Sequence, residues 1–415
     1  MTINRALISV WDKQNLFEMG EFLTRNHVEI IATGGTQQQL ERHGISVTPV
    51  ESITGISSIM DGRVKTLDQK IFGGILADRE NSNHLNHLQS LGGNTIDVII
   101  VNFYPFVSEA VEKNLEFRKA IEYIDIGGPS MLRAAAKNYH SVVSISHPKQ
   151  YQEFIDEFNR NRGKISLNIR EKFAKEVFKM TSAYDSAIYE YFDRQDSEAL
   201  PIKINISAEK QNDMRYGENP HQKAAFYTSN ETSEYWKQLQ GKELSYNNYS
   251  DLESSIRIVN EFTEPACVII KHANPCGFGI GTDCIEAFKH AVSTDPVSYF
   301  GGIVGFNREI DGSLAELLIK PFLECVAAPA ISDDAKSILM KKKNLRVLRF
   351  DPLVKLDSPN IRSCAGGYLV QERDHDQGEL SRLKIVTERS PNDEELNGFN
   401  LGWKISRFVK SNAVV

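Results

Sequence analysis

Cysteine is scarce in this sequence of 415 residues, and its distribution excludes several classes of protein. All 5 cysteines fall between Cys267 and Cys364, and the first 266 residues contain none. There is no Cys-x-x-Cys pair and no histidine-rich spacing, so the sequence predicts neither a disulfide framework nor a zinc site. We therefore expect a protein of the reducing cytoplasm that uses no metal.

Long apolar runs and an excess of positive charge are also lacking. No run approaches the ~18 apolar residues that a membrane-spanning helix needs, and the first residues show no signal-peptide pattern. The formal net charge is −7, whereas general affinity for nucleic acid requires a basic surface. We expect neither a nucleic acid nor a membrane as a partner. The length of 415 residues predicts two or three domains.

Buried strands alternate with helices through the first half of the chain. Apolar strands are predicted over 5–10, 28–33, 97–102 and 141–145, with helices between them and a long helix over 167–193. This alternation is typical of a doubly wound α/β domain. The polar stretch 194–201 interrupts the pattern, and we place a domain boundary there, after residue 195.

Two glycine turns in this half are typical of anion sites. Thr33-Gly34-Gly35-Thr36 lies between a strand and a helix, so free amides and the helix dipole would face a bound anion. Gly127-Gly128-Pro129 opens another helix in the same way. Arg63 and Lys65 lie in a loop that could clamp a phosphate. The structural alternatives are ordinary turns and a solvated basic loop.

Polar side chains accompany both features. Asn102 and Tyr104 follow the third strand, at the edge where open parallel sheets bind ligands. Asp125 precedes the second glycine turn, and a helix is predicted over 107–123 before it. Arg133 and Lys137 share one face of the helix that follows the turn.

In the second half, the apolar strand Val268–Ile270 carries Lys271 and His272 into a segment rich in proline and glycine, which we predict to be a loop over 274–277. A strand that delivers a base and a cation to a loop is a common arrangement for catalysis. The alternative is a satisfied Lys–His pair at a strand end. Arg215–Gln222 is predicted to be a second loop.

The motifs together resemble the PurH family of bifunctional purine-biosynthesis enzymes. The resemblance is carried, in the family's order, by Gly62–Leu67, Asn102–Phe106, Ile124–Gly128 with Arg133–Asn138, Arg215–Gln222 and Lys271–Gly277. That family couples phosphoribosylaminoimidazolecarboxamide (AICAR) formyltransferase to IMP cyclohydrolase. The substrates implied are the nucleotides AICAR, its formylated product FAICAR and IMP, with 10-formyltetrahydrofolate as formyl donor and no catalytic metal.

The resemblance also implies a domain plan. Residues 1–195 would form a methylglyoxal-synthase-like cyclohydrolase, 196–375 a first, cytidine-deaminase-like transferase subdomain, and 376–415 the start of a second one. In the family the sequence continues well beyond the match to Asn412, so we expect an incomplete transferase here. The family works as a homodimer, and we expect the same of this chain.

Site residues follow from the same motifs. The substrate-binding residues implied are Ser9, Lys13, Thr33, Gly35, Thr36, Arg63, Thr66, Asn102, Gly127, Arg215, Tyr216, Asn247 and Phe300. The catalytic residues implied are Lys65, Tyr104, Asp125 and Lys137 for ring closure, and Lys271, His272 and Asn412 for formyl transfer. Trp11 departs from the family, which has a small polar residue at that position.

Three functions remain open at this point. The chain could be a bifunctional enzyme, a cyclohydrolase whose second half is structural, or a nucleotide-binding protein without catalysis. Lys65, Tyr104, Asp125 and Lys137 together favour the first two functions over the third. Lys271, His272 and Asn412 favour the first over the second, because a structural module has no need of them.

Overall fold

The computed structural model describes residues 1–57, 59–60, 63–193, 200–228, 235–353, 359–374 and 384–415. The chain divides into two compact units, Met1–Asn205 and Ile206–Val415. The predicted boundaries after residues 195 and 375 both lie outside the described residues. The predicted division of the second half into 196–375 and 376–415 therefore stays a prediction.

The first unit alternates strands and helices. Its strands are β1 (Arg5–Val10), β2 (Glu29–Ala32), β3 (Thr48–Pro49), β4 (Val98–Asn102) and β5 (Val143–Ile145). Its α-helices are α1 (Leu16–Arg25), α2 (Gly34–Arg42), α3 (Val50–Thr54), α4 (Gln69–Leu76), α5 (Ser82–Ser90), α6 (Phe117–Ile121), α7 (Gly127–Lys137), α8 (Tyr151–Arg160) and α9 (Leu167–Asp193).

The five strands form one parallel sheet in the order β3-β2-β1-β4-β5. Alternate residues of β1 enter different cores: Ala6 and Ile8 pack into one buried cluster and Leu7 into another. Both faces of the sheet are therefore covered, which explains why the strands are near-continuous apolar runs. The strand order reverses between β1 and β4, and such a switch point opens a crevice at the carboxyl ends of the strands.

The predicted helix over 107–123 is wrong as a continuous element. The chain instead makes a single π-helical turn at Val107–Val111 and a short α6. Asn114 lies between them with a φ of 49°, in the left-handed region. A residue in that conformation ends a right-handed helix, and asparagine tolerates it better than most residues.

The second unit contains a larger, mixed sheet. Its strands are β6 (Glu209–Met214), β7 (Ala224–Thr228), β8 (Trp236–Gln240), β9 (Ala266–Lys271), β10 (Asn274–Ile280), β11 (Ile303–Phe306), β12 (Cys325–Ala328), β13 (Arg346–Phe350), β14 (Asn360–Cys364) and β15 (Gly367–Gln371). Its helices are α10 (Tyr246–Val259), α11 (Cys284–Thr294), α12 (Gly312–Leu318), α13 (Asp333–Leu339) and α14 (Asp393–Ser406).

Six of these strands form a sheet in the order β10-β9-β11-β12-β13-β8. The predicted loop over 274–277 is wrong, because this segment begins β10 and pairs antiparallel with β9. Pro275 is tolerated there since β10 lies at the edge of the sheet, where a missing N–H costs least. The register shifts between Pro275 and Gly277, so a bulge accommodates the proline.

Candidate active sites

A cavity of about 1240 Å³ opens at the carboxyl edge of the first sheet, beside the switch point between β1 and β4. Most of the residues predicted for this half line it. They are Ser9, Lys13, Thr33, Gly35, Thr36, Arg63, Lys65, Thr66, Asn102, Tyr104, Asp125 and Gly127. The sheet topology explains this convergence, because parallel strands deliver their following turns to a single edge.

The start of α2 is bonded to the end of β1. Thr36 Oγ1 accepts the amide of Val10 over 3.1 Å, and the Lys13 ammonium donates to the same oxygen over 3.1 Å. Ser9 Oγ and Thr33 Oγ1 are 3.0 Å apart. Burial lowers the pKa of Lys13, and Asp12 opposes that shift. Because free helix amides and an ammonium lie together, this end of the cavity suits an anion.

Lys65 and Thr66 lie between the two glycine turns. A Cβ atom at Gly34 would lie 3.6 Å from Lys65 Nζ, and one at Gly127 would lie 3.1 Å from Thr66 Oγ1. The N-terminal ends of α2 and α7 therefore flank one short segment that carries an ammonium and a hydroxyl. Positive helix ends on both sides reinforce the preference for negative charge.

Asp125 contributes a half-buried carboxyl to the cavity. Its Oδ1 accepts the amide of Gly128 over 3.0 Å. A Cβ atom at Gly128 would lie 2.6 Å from Oδ2, so only glycine fits beside this carboxyl. Burial raises the pKa of Asp125, and the amides of Gly128 and Gly127 oppose the rise. A carboxyl with a raised pKa is suited to proton transfer.

Asn102 lines the cavity but also has a structural role. Its Oδ1 accepts the amides of Trp11 over 2.6 Å and Asp12 over 2.9 Å, and its Nδ2 donates to the carbonyl of Asp12 over 3.0 Å. These bonds fix the turn that follows β1. The ring of Trp11 consequently lies beside that of Tyr104, with the centroids 6.4 Å apart and the planes at 58°.

Arg63 and Lys137 differ from the other predicted residues in their surroundings. Arg63 Nη2 is paired with Glu122 Oε1, which the sequence reasoning missed, and both side chains are more than half exposed at 68% and 55%.

Lys137 is the last residue of α7, whose 11 residues span about 16 Å from the glycine turn. It is exposed and does not line the cavity.

In the second unit, the tight hairpin between β9 and β10 brings together most of the residues predicted for formyl transfer. Lys271 Nζ donates to the carbonyl of Phe300 over 3.1 Å. Lys410 donates through Nζ to the carbonyl of His272 over 2.9 Å, and through its amide to Asn274 Oδ1 over 3.0 Å. Lys410 thus ties to the hairpin the segment that carries Asn412, two residues further along the chain.

The residues predicted to contact the nucleotide in this unit lie on three separate segments of the chain. The Arg215 guanidinium lies 5.5 Å from the centre of the Tyr216 ring, on the predicted loop before β7. Within the described ranges, no contact joins these two residues to Lys271 or His272. Asn247 is exposed on the first turn of α10, four residues before Asp251. Asp251, which the sequence reasoning missed, accepts the backbone amide of Ala273.

Two absences characterise the residues that the structure describes. None of the helices in those ranges is long and apolar enough to cross a membrane. The same part of the chain contains no group of three or more His, Cys, Asp or Glu side chains arranged to hold a metal ion.

These features define a two-unit α/β enzyme whose first cavity suits a phosphorylated small molecule. Family models match the chain as an MGS-like domain over residues 15–130 and as an AICARFT/IMPCHase bienzyme over residues 135–415. The chain therefore belongs to the AICARFT/IMPCHase bienzyme family, whose members catalyse the last two steps of IMP biosynthesis. This finding confirms the predicted family and the predicted fold class.

Two PurH relatives support the assignment. The bifunctional purine biosynthesis protein PurH of Bacillus cereus (strain ATCC 14579) is 45% identical over 416 residues, which cover 99% of this chain and 81% of that protein. PurH of Clostridium beijerinckii is 44% identical over 414 residues, with 99% and 82% covered. A crystal structure of ForH is 30% identical, with a TM-score of 0.43, and covers 47% of this chain and 100% of that one.

Proposed function

We propose that this chain formylates AICAR with 10-formyltetrahydrofolate and then closes FAICAR to IMP. Ring closure takes place in the cavity of the first unit, and formyl transfer takes place at the Lys271–His272 hairpin. The observation that supports this most strongly is the meeting of two helix N-termini, Lys65 and Asp125 in one cavity. The helix N-termini can bind an anion, Lys65 is a cation, and Asp125 is an acid, and all of them line the same cavity.

In ring closure, the carboxamide nitrogen of FAICAR attacks the formyl carbon, and the carbinolamine that forms then loses water. The substrate phosphate binds the amides and hydroxyls of Thr33–Thr36, with Lys13, Arg63 and Thr66 nearby. Lys65 stabilises the negative charge that develops on the formyl oxygen. Asp125 in its protonated form supplies the proton with which that oxygen leaves as water, and Tyr104 assists proton transfer.

Lys137 is the least supported member of this set. It lies at the opposite end of α7 from Gly127 and the cavity. Its part in proton transfer stays a prediction that a single substitution can test.

In formyl transfer, the amine of AICAR attacks the formyl carbon of the folate. His272 takes a proton from the amine, since histidine ordinarily titrates near neutral pH. Lys271 stabilises the oxyanion of the tetrahedral intermediate, and Asn412 orients the formyl group. The intermediate then releases tetrahydrofolate. Arg215, Tyr216, Asn247 and Phe300 bind the nucleotide.

A homodimer is part of the proposal. The hairpin of β14 and β15 exposes nearly all of its residues, including Tyr368 at 62% and Leu369 at 59%. A lone two-stranded hairpin is at best marginally stable in water, so a second copy of the chain that covers it would stabilise it. We place the protein in the cytoplasm, which agrees with its five free cysteines.

The experiment that tests the first site supplies FAICAR directly and follows IMP. We expect the unmodified chain to form IMP and Lys65→Ala to lower kcat by about 100-fold or more, as for the loss of an oxyanion donor. Lys149→Ala, which removes an exposed lysine outside the cavity, is the control and should leave kcat unchanged. Lys137→Ala belongs in the same series, and unchanged turnover would remove Lys137 from the mechanism. Full activity of Lys65→Ala would contradict the proposed site.

A further inference from the structure

The turn that carries His272 has an unfavourable backbone conformation. His272 and Ala273 have φ values of 57° and 55°, and they form the two-residue loop between Lys271 and Asn274, which pair across the hairpin. A loop with two left-handed residues favours Asn-Gly, because a Cβ atom disfavours this region. His-Ala lacks that preference. A contact from outside the hairpin must therefore hold the turn.

Asp251 on α10 provides such a contact. Its carboxylate accepts the amide of Ala273, although the two residues are 22 positions apart in sequence. Only 8% of Asp251 is exposed. Burial raises the pKa of Asp251, and the amide of Ala273, the ring of His272 and the amide of His272 oppose the rise, in that order. The buried carboxylate of Asp251 therefore contacts the backbone of the turn itself.

The helix that presents Asp251 is itself held firmly. Ser245 and Asn248 form a reciprocal capping box at its first turn. Asn248 Nδ2 also donates to Glu324 Oε2 over 3.0 Å, which ties the helix to the start of β12. Asp251 lies one turn further along the same helix. Its carboxylate therefore approaches the hairpin from a fixed direction.

Lys410 contacts the opposite side of the turn. It donates to the carbonyl of His272 over 2.9 Å, so Lys410 holds the C=O and Asp251 the N–H of the single peptide group between His272 and Ala273. The two contacts differ in burial, since Lys410 is exposed whereas Asp251 is buried. An exposed lysine is a weak tether in water. Asp251 is the stronger of the two.

We propose that Asp251 is a positioning residue for formyl transfer, which holds the His272–Ala273 turn in its left-handed conformation and so fixes the direction of the His272 imidazole. The inference rests on the proposed role of His272 as the base. Asp251 touches no reacting atom in this account. It acts through His272, because a general base must lie within hydrogen-bonding reach of the proton that it removes.

The test compares three variants with the unmodified chain. Asp251→Asn keeps an oxygen acceptor for the Ala273 amide, and Asp251→Ala removes it. The third variant combines Asp251→Ala with Ala273→Gly. Glycine adopts the left-handed conformation easily, so it should favour the turn that the carboxylate otherwise holds. Cyclohydrolase turnover of FAICAR in the first unit serves as an internal control for each variant, because Asp251 has no part in that site.

Two quantities are measured for each variant: amide hydrogen exchange of the peptide that spans 268–276, and the kinetics of formyl transfer. For Asp251→Ala we expect exchange at the turn about 10-fold faster and kcat for transfer about 10- to 100-fold lower. The KM for AICAR should change little. Asp251→Asn should retain most of kcat, and Ala273→Gly should recover part of what Asp251→Ala loses. A residue that merely stabilised the unit would show no such rescue.

Three results would overturn the inference. Asp251→Ala could leave both exchange and kcat unchanged; Asp251→Asn could be as impaired as Asp251→Ala; or glycine could give no recovery. If the unmodified chain converts FAICAR but transfers no formyl group, the proposed transferase function fails. Hydrogen exchange alone then tests whether Asp251 positions the turn. Unchanged exchange in Asp251→Ala would refute the positioning role, and faster exchange restored by Asp251→Asn would support it.

Discussion

The phenolic oxygen of Tyr184 accepts the backbone N–H of Asp125 over 2.8 Å. Tyr184 belongs to α9 and also donates to the carbonyl of Tyr123 over 3.4 Å, so one hydroxyl holds the chain on both sides of Ile124. Burial raises the pKa of Tyr184 to about 12, so the phenol stays protonated well above neutral pH. The long helix of the first unit thereby fixes the segment that carries the acid of the cavity.

Tyr184→Phe should therefore impair ring closure. Loss of a neutral hydrogen bond costs about 0.5–1.5 kcal/mol, and an unsatisfied buried amide costs about 1–3 kcal/mol. We expect kcat for FAICAR to fall about 5- to 30-fold, with a small decrease in the free energy of unfolding. Steady-state kinetics and urea unfolding measure both quantities. A variant with lower stability and unchanged kcat would show that Tyr184 has only a structural role.

Asp125→Asn should separate stability from activity. The folded-state pKa of Asp125 is raised, so the folded chain holds this proton more tightly than the unfolded chain. The contribution of Asp125 to stability therefore falls as pH rises towards and through its folded pKa. We expect Asp125→Asn to have a higher Tm than the unmodified chain at pH 7, and a smaller advantage as pH is lowered towards 4.

The same variant should close the ring poorly, because an amide cannot supply the proton. Asp185→Asn removes one exposed carboxylate and controls for the change in net charge. A Tm difference that is independent of pH would contradict a raised pKa of Asp125 in the folded chain. Full activity of Asp125→Asn would exclude Asp125 as the proton donor.

Trp11 offers a direct signal of ligand binding. It lines the cavity beside Tyr104, whereas the other two tryptophans, Trp236 and Trp403, lie in the second unit. A nucleotide base that enters the cavity should change the environment of the Trp11 indole and so its fluorescence. We expect IMP to alter the emission of the unmodified chain and to have much less effect on Trp11→Phe. An equal response from both proteins would place the bound nucleotide elsewhere.

The hairpin of β14 and β15 should determine self-association. Leu369→Lys introduces a charge on the exposed apolar surface, and we expect the dissociation constant of the dimer to rise about 10-fold or more, equivalent to about 1.4 kcal/mol. Sedimentation velocity over a range of concentrations measures this change. Ser337→Lys, on the exposed side of α13, is the control. Unchanged association of Leu369→Lys would exclude the hairpin as the interface.

Several regular elements and the first cavity were predictable from sequence. Helix α9 has the predicted bounds of 167–193, because its pattern runs unbroken for 27 residues. The apolar runs of β1 and β4 identified the sheet, and parallel strands bring the ends of those runs to one edge. The glycine turns at Gly34 and Gly127 could therefore be expected to meet without knowledge of any side-chain contact.

What the sequence could not predict depends on contacts between distant elements. The sequence predicts a loop where the strand Asn274–Ile280 begins, because a proline is tolerated in a strand only at a sheet edge, and edge position is a property of the whole sheet. Asp251 gave no signal of its role, since its partner Ala273 lies on another element. Motif matching placed Lys137 in the site, whereas the length of α7 places it at the far end of that helix.

The proposed function requires two reactions that can be followed side by side. The purified chain is given AICAR and 10-formyltetrahydrofolate, and tetrahydrofolate and IMP are followed together; FAICAR is supplied alone in a parallel reaction. We predict that both products form in the first reaction and that IMP forms in the second. If IMP forms only in the reaction supplied with FAICAR, the chain is a cyclohydrolase with an inactive second unit. Failure to form IMP in either reaction would contradict the account.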